Sequence, residues 1–247
     1  MSSNEFASLS INAEGIAVLR MCDEKTGNAL SEAMVHRFEA LFTDVANHDE
    51  IKVVILAGLP EYFCSGASRD VLLKLAENQI EPNELTLPRH VLRISVPTIA
   101  AMEGHAIGGG LALGICCDII LIARESRYSC PFMNYGFTPG MGTTRLLEHV
   151  VSPAIAHEML FTGRPFKGAH FEHRGGFNHV LPRSELWKRT MDIAERIAEK
   201  PRAALLLLKA NLIAGRRQIY EGAFQAETEM HQKTFYEPSV ISRILEE

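Results

Sequence analysis

The stretch GHAIGGGLALGICCDI, Gly104 to Ile119, decides how this 247-residue chain is read. Three consecutive glycines, Gly108, Gly109 and Gly110, open an apolar run with helical spacing. An apolar strand, VPTIAAMEG, precedes them. Such a junction bares backbone N–H groups, which attract negative charge without a charged side chain. The pattern is not G-x-G-x-x-G and no Walker lysine follows, so nucleotide binding is poorly supported. No acid or base stands beside the glycines. Ala112 and Leu113 come next, and the following carboxylate is Asp118.

Working outward, the same grammar recurs upstream. IKVVILAG predicts a buried strand ending at Gly58. It leads to FCSGASRDVLLKL, where Ser68 and Asp70 favour a helix start. ASLSINAEGIAVLRM predicts two short strands around Glu14-Gly15. SEAMVHRFEALFTDVANH predicts a helix with a capping box at Ser31 and Met34, Phe38, Leu41, Phe42 and Val45 on one face. DIILIAR predicts a third apolar strand. The polar stretch AENQIEPNELTLPRH has two prolines and weak periodicity, and is read in part as a mobile loop near the site. From Ser152 four helical segments follow, with PRAALLLLKANLIAG and IYEGAFQAETEMHQKTFY read separately. The pattern predicts an α/β protein with an alternating core, residues 1–190, and a helical C-terminal region, residues 191–247.

Composition narrows the function classes. A net charge of -5 argues against a nucleic-acid partner, whose phosphates want a basic face. The N-terminus lacks a signal-peptide pattern, and no run of 18 apolar residues suggests a membrane span. Five cysteines without a C-x-x-C pair fit buried thiols in the cytoplasm. The histidines show no metal-ligand spacing, so no metal site is expected.

NAL at 28–30, FCSGAS at 63–68, PTIAAMEGHAIGGGLALGICCDI at 97–119 and GFTPGMGTTRL at 136–146 together resemble the crotonase (enoyl-CoA hydratase/isomerase) superfamily, over about residues 10–245. The resemblance implies a β-β-α spiral core and a helical C-terminal region used for trimerisation, in a trimer or a dimer of trimers. It implies a thioester substrate on a phosphopantetheine arm, borne by an acyl carrier protein or coenzyme A, and no further cofactor. It places the oxyanion donors at the backbone N–H groups of Ala67 and Gly109, with Ser68 and Gly108 beside them. Family members that hydrate enoyl thioesters use two glutamates; the matching positions here are Ala112 and Phe132. Neither can move a proton, which argues against hydration. Losing CO2 makes an enolate without removing a C–H proton, and suits a site that keeps its anion donors and loses its acids.

SGAS, NYGFTPGMG, AEKPR and MHQKTF are similar to the decarboxylating enoyl-CoA-hydratase-like proteins of polyketide β-branching cassettes. That likeness implies conversion of a 3-methylglutaconyl to a 3-methylcrotonyl group on a carrier protein, with His231 as proton donor. It also implies a carboxylate anchor, for which Lys74 is the candidate; Leu75 is the alternative occupant of that position and a solvated lysine the alternative role. Tyr135 and Asn134 line the pocket or only pack. His105 braces the turn. Lys209, Arg216 and Arg217 form a solvated helix face or meet an acidic carrier. Two other readings stand beside decarboxylation: a hydratase or isomerase with displaced groups at Glu77 or Glu81, and a non-catalytic thioester-binding subunit.

Overall fold

The computed structural model describes residues 6–174 and 176–246. The chain opens with β1 (Ala7–Ile11) and β2 (Ile16–Met21), an antiparallel pair turning at Gly15, and then α1 (Glu32–Asn47). Ser31 caps α1 by accepting from Met34 N–H. The capping box is only half present, because the third helical residue is Met34, which cannot reach back as a glutamate would. The five expected apolar residues of α1 are all buried.

A strand-strand-helix turn is then made three times. The first is β3 (Val53–Ala57), β4 (Tyr62–Cys64) and α2 (Arg69–Ala76). After α3 (Leu87–Arg93) comes the second: β5 (Thr98–Met102), β6 (His105–Ile107) and α4 (Gly109–Ile115). The third is β7 (Ile119–Ala123), β8 (Arg127–Ser129) and a 3-10 turn, Pro131–Tyr135. Helices α5 (Thr143–Val150) and α6 (Pro153–Thr162), short strands β9 (Phe166–Lys167) and β10 (His179–Leu181), and helices α7 (Arg183–Ala198), α8 (Arg202–Thr234) and α9 (Pro238–Glu246) complete the chain.

The long strands form one sheet in the order β1-β2-β3-β5-β7-β10, parallel from β2 onward. The short ones form a second sheet, β4-β6-β8-β9. Each turn of chain thus steps along both sheets, which is the β-β-α spiral. Central strands β3 and β5 are buried throughout because both faces are covered, so they read as continuous apolar runs rather than alternating ones. Val53, Ile55 and Ala57 face α7, while Val54 and Leu56 face the main core.

The stretch read in part as a loop near the site is loop at residues 77–81 and 85–86, with Leu85 in the cavity wall; the rest is a 3-10 turn, Pro82–Glu84, and helix α3, whose Leu87, Val91 and Leu92 are buried. Two expectations change. The last two helical segments are one 33-residue helix, α8. Gly215 and Gly222 lie within it, and a helix tolerates an isolated glycine at a cost of about 1 kcal/mol. Residue 190, the expected boundary, falls inside α7, where Thr190 is buried. Among the described residues, no helix is long and apolar enough to cross a membrane.

Candidate active site

Two strand-to-helix junctions meet over one cavity. After β4 the chain turns at Gly66, with φ +92°; a side chain there would come within 2.8 Å of the Ile107 carbonyl. Leu30 N–H donates to Gly66 O (2.7 Å) and Ser68 N–H to Leu30 O (3.4 Å). These two bonds bracket Ala67 and leave its own N–H outside the pairing. After β6, Gly108 takes φ +52°, and its N–H is held by Ser129 O at 2.9 Å. Gly109 N–H lies in the first turn of α4, where no intrahelical acceptor exists. The packing is close: a Cβ on Gly66 would sit 3.8 Å from Gly109 N. Ala67, Gly108 and Gly109 all line a cavity of about 60 Å³.

The rest of that cavity is mostly apolar, with Leu75, Leu85, Phe132, Phe137 and Phe235 in its walls. Phe132 reaches over the glycine turn, within 4.0 Å of where a Gly108 side chain would begin. Tyr135 is also in the wall, stacked on Phe137 at 5.7 Å. Among the described residues that line it there is no aspartate or glutamate.

His231 closes the far side. It comes from α8, is buried, and packs edge-on against Phe235 at 4.9 Å. Position 140 must be glycine, because a Cβ there would lie 2.5 Å from the imidazole Cε1. Nε2 sits 2.9 Å from Thr138 O. A carbonyl only accepts, so Nε2 carries the hydrogen, and in the neutral ring Nδ1 is bare. Burial lowers the His231 pKa, against the pull of the Thr138 and Pro139 carbonyls, which favour the charged ring.

One turn earlier on α8, Glu227 is a functional support that the sequence reading passed over. It is buried and accepts from Gly142 N–H (2.7 Å), Thr144 N–H (2.9 Å) and Thr144 Oγ1 (2.6 Å). Burial raises its pKa, and these hydrogen bonds oppose the rise. Glu227 and His231 therefore grip the same 138–144 segment. Met141 of that segment lies against Gly109 and lines the cavity. The i,i+4 spacing from His231 was the available signal.

Other expected residues stand elsewhere. Lys74 is not in the cavity wall: its ammonium pairs with Glu32 (2.9 Å) and Asp70 (3.1 Å), and Leu75 takes the wall position. Ser68 is used in capping α2, its Oγ accepting from Val71 N–H at 3.3 Å, and the lining serine is Ser65. Ala112 is fully buried, packed inside the core with the rest of α4, and does not line the cavity. Lys209, Arg216 and Arg217 do not form a solvated face. Lys209 is buried on Asp118 at 2.6 Å, Arg216 donates to Ile115 O and Cys117 O, and Arg217 donates to Leu92 O. His105 lies in β6, and its Nδ1 accepts from the N–H of Arg127 at the start of β8 at 3.0 Å. Glu77 and Glu81 do not line the cavity.

Comparison with known proteins agrees with this geometry. The enoyl-CoA hydratase/isomerase family model matches residues 12–242. The chain is 37% identical over 229 residues to the bacillaene synthase decarboxylase PksI of Bacillus subtilis, covering 93% of this chain and 92% of that one. A solved structure of a dehydratase/decarboxylase enzyme couple involved in polyketide β-branching superposes with a TM-score of 0.95 at 35% identity, covering 99% of this chain and 96% of that one. The ECH2 decarboxylase domain of CurF from Lyngbya majuscula superposes with a TM-score of 0.91 at 34% identity, covering 98% and 99%. Spiral, paired junctions and near full-length matches converge: the chain belongs to the enoyl-CoA hydratase/isomerase family, the crotonases.

Proposed function

We propose that this protein is a decarboxylase that converts a 3-methylglutaconyl-type thioester to a 3-methylcrotonyl-type thioester in polyketide β-branching. The observation that carries the reading is the cavity itself: two backbone donors at one wall, one imidazole at the other, and no carboxylate among the described lining residues. Hydration would need a positioned acid and base, and the two positions expected to supply them are Ala112 and Phe132.

The reaction runs as one electron-pair shift followed by one proton transfer. The bond between C4 and the carboxyl carbon breaks and CO2 leaves. The pair moves through the C2–C3 alkene onto the thioester oxygen, giving a dienolate. Ala67 and Gly109 N–H groups hold that oxygen, whose charge is greatest after the bond has broken, so they favour the transition state over the substrate. Phe132 and Phe137 keep water from the dienolate. Protonation at C4 then completes the product. His231 is the donor in this reading, and it must turn its Nε2 hydrogen from Thr138 O or act as the less abundant imidazolium. The scheme needs no metal or organic cofactor, since the substrate's own conjugated thioester accepts the electron pair.

The proposal extends to partners. The acyl group rides on a carrier protein's phosphopantetheine arm, and the chains assemble as a trimer or a dimer of trimers in the cytoplasm. Free thiols at all five cysteines suit a reducing compartment. The test is the intact mass of 3-methylglutaconyl carrier protein after incubation with the protein. Loss of the mass of CO2 supports the reading, and gain of the mass of water defeats it. No change, with binding retained, also defeats it and leaves a non-catalytic thioester-binding subunit.

A further inference from the structure

The cavity that ends at His231 shares three wall residues, Ala67, Leu72 and Tyr135, with a second chamber of about 200 Å³. That chamber adds Ile244 from α9 and Arg69, the first residue of α2. Arg69 is exposed, and its guanidinium makes no hydrogen bond or ion pair with any other described residue. Its cationic neighbours in the fold are committed: Lys74 to Glu32 and Asp70, Arg243 to Asn134 O.

A substrate about to lose CO2 enters with a carboxylate. In the smaller chamber that group would face aromatic rings and lose its hydration beside His231 alone, whose burial favours the neutral ring. In the side chamber it keeps water on one side and meets a guanidinium fork, whose paired N–H donors match a carboxylate. The shared wall matters here. Ala67, the oxyanion donor of the proposed reaction, borders both chambers, and Arg69 follows it by two residues, which sets the guanidinium's chamber beside the thioester site. The geometry points to Arg69 as the residue that binds the carboxylate of the substrate, in the place expected of Lys74. This inference rests on the decarboxylase reading. It also gives selectivity: CO2 is neutral, so the contact ends with the reaction and the product is held less well than the substrate.

The test uses two thioesters that are not turned over and carry no phosphate, glutaryl-pantetheine and butyryl-pantetheine. Their affinities are measured calorimetrically for the wild type, Arg69→Gln and Arg69→Lys. The expected result is that the wild type prefers the glutaryl thioester by roughly two- to fivefold, the scale of an exposed ion pair. Arg69→Gln abolishes the preference, Arg69→Lys keeps part of it, and butyryl affinity is the same in all three. The inference is overturned if the wild type shows no preference or binds neither thioester. It is overturned equally if Arg69→Gln keeps the preference, or if it loses affinity for both probes alike, which would place Arg69 on the pantetheine arm. Because neither probe reacts, this outcome is independent of the mass experiment.

Discussion

At the junction before α2, a serine side chain caps the helix, and Arg69 and Asp70 face solvent. At the junction before α4, no side chain caps the helix, and every residue from Gly109 to Ile115 is buried. Each junction presents one backbone donor to the same cavity, yet one is set at the rim of the protein and the other deep in its core. In the proposed reaction the buried junction sets where the oxyanion lies. The exposed one supplies the second donor and, two residues further on, a charge that can meet a substrate from solvent. Two strand-to-helix junctions thus serve different ends, decided by how each helix is capped and by what packs outside it.

The largest expected effect breaks the buried junction. A Cβ on Gly110 would strike the Cys64 carbonyl and come within 2.7 Å of its Cβ. That contact involves backbone, which cannot step aside, so Gly110→Ala is expected to lose about 3 kcal/mol in urea unfolding. Unchanged stability would show that this junction is not rigid.

Next in size is the wall both donors face. His231→Phe is expected to slow decarboxylation about a hundredfold, the lower range for a positioned proton donor. It also alters pH behaviour. Folding lowers the His231 pKa from 6.5, so below that pH the unfolded chain binds a proton that the folded one resists. Stability from this residue therefore falls as pH drops from 6.5 towards the lowered value, and His231→Phe should flatten that part of a denaturation profile.

Smaller effects sharpen the exposed side. Ser68→Ala removes the cap on α2 and is expected to cost about 1 kcal/mol with little change in turnover. Lys74→Ala should leave turnover unchanged, because its ammonium is engaged by Glu32 and Asp70 outside the cavity. A large loss of activity in Lys74→Ala would reverse that assignment.

Much of this arrangement was legible in the chain. The apolar runs of β3, β5 and β7 predicted the main sheet, and Ala67, Gly108, Gly109, Phe132, Tyr135 and His231 all meet at one cavity. Strands β4, β6 and β8 were not legible, since three residues are too few to show alternation. Lys74 failed for a geometric reason: one step along a helix turns the side chain by about 100°, which separates it from Leu75 in the wall. Glu227 was missed because a carboxylate on a polar-looking helix is ordinarily solvated, and only the fold shows the three donors that hold it inside.

The central claim is that the enolate forms by loss of CO2 and not by removal of a C–H proton. It is tested most directly by running the wild-type reaction on the 3-methylglutaconyl thioester in D2O and stopping it part-way. The account predicts a single deuterium at C4 of every product molecule and none in the recovered substrate. Deuterium in the recovered substrate, or a product heavier by one water, would reveal a working base in the cavity and contradict it.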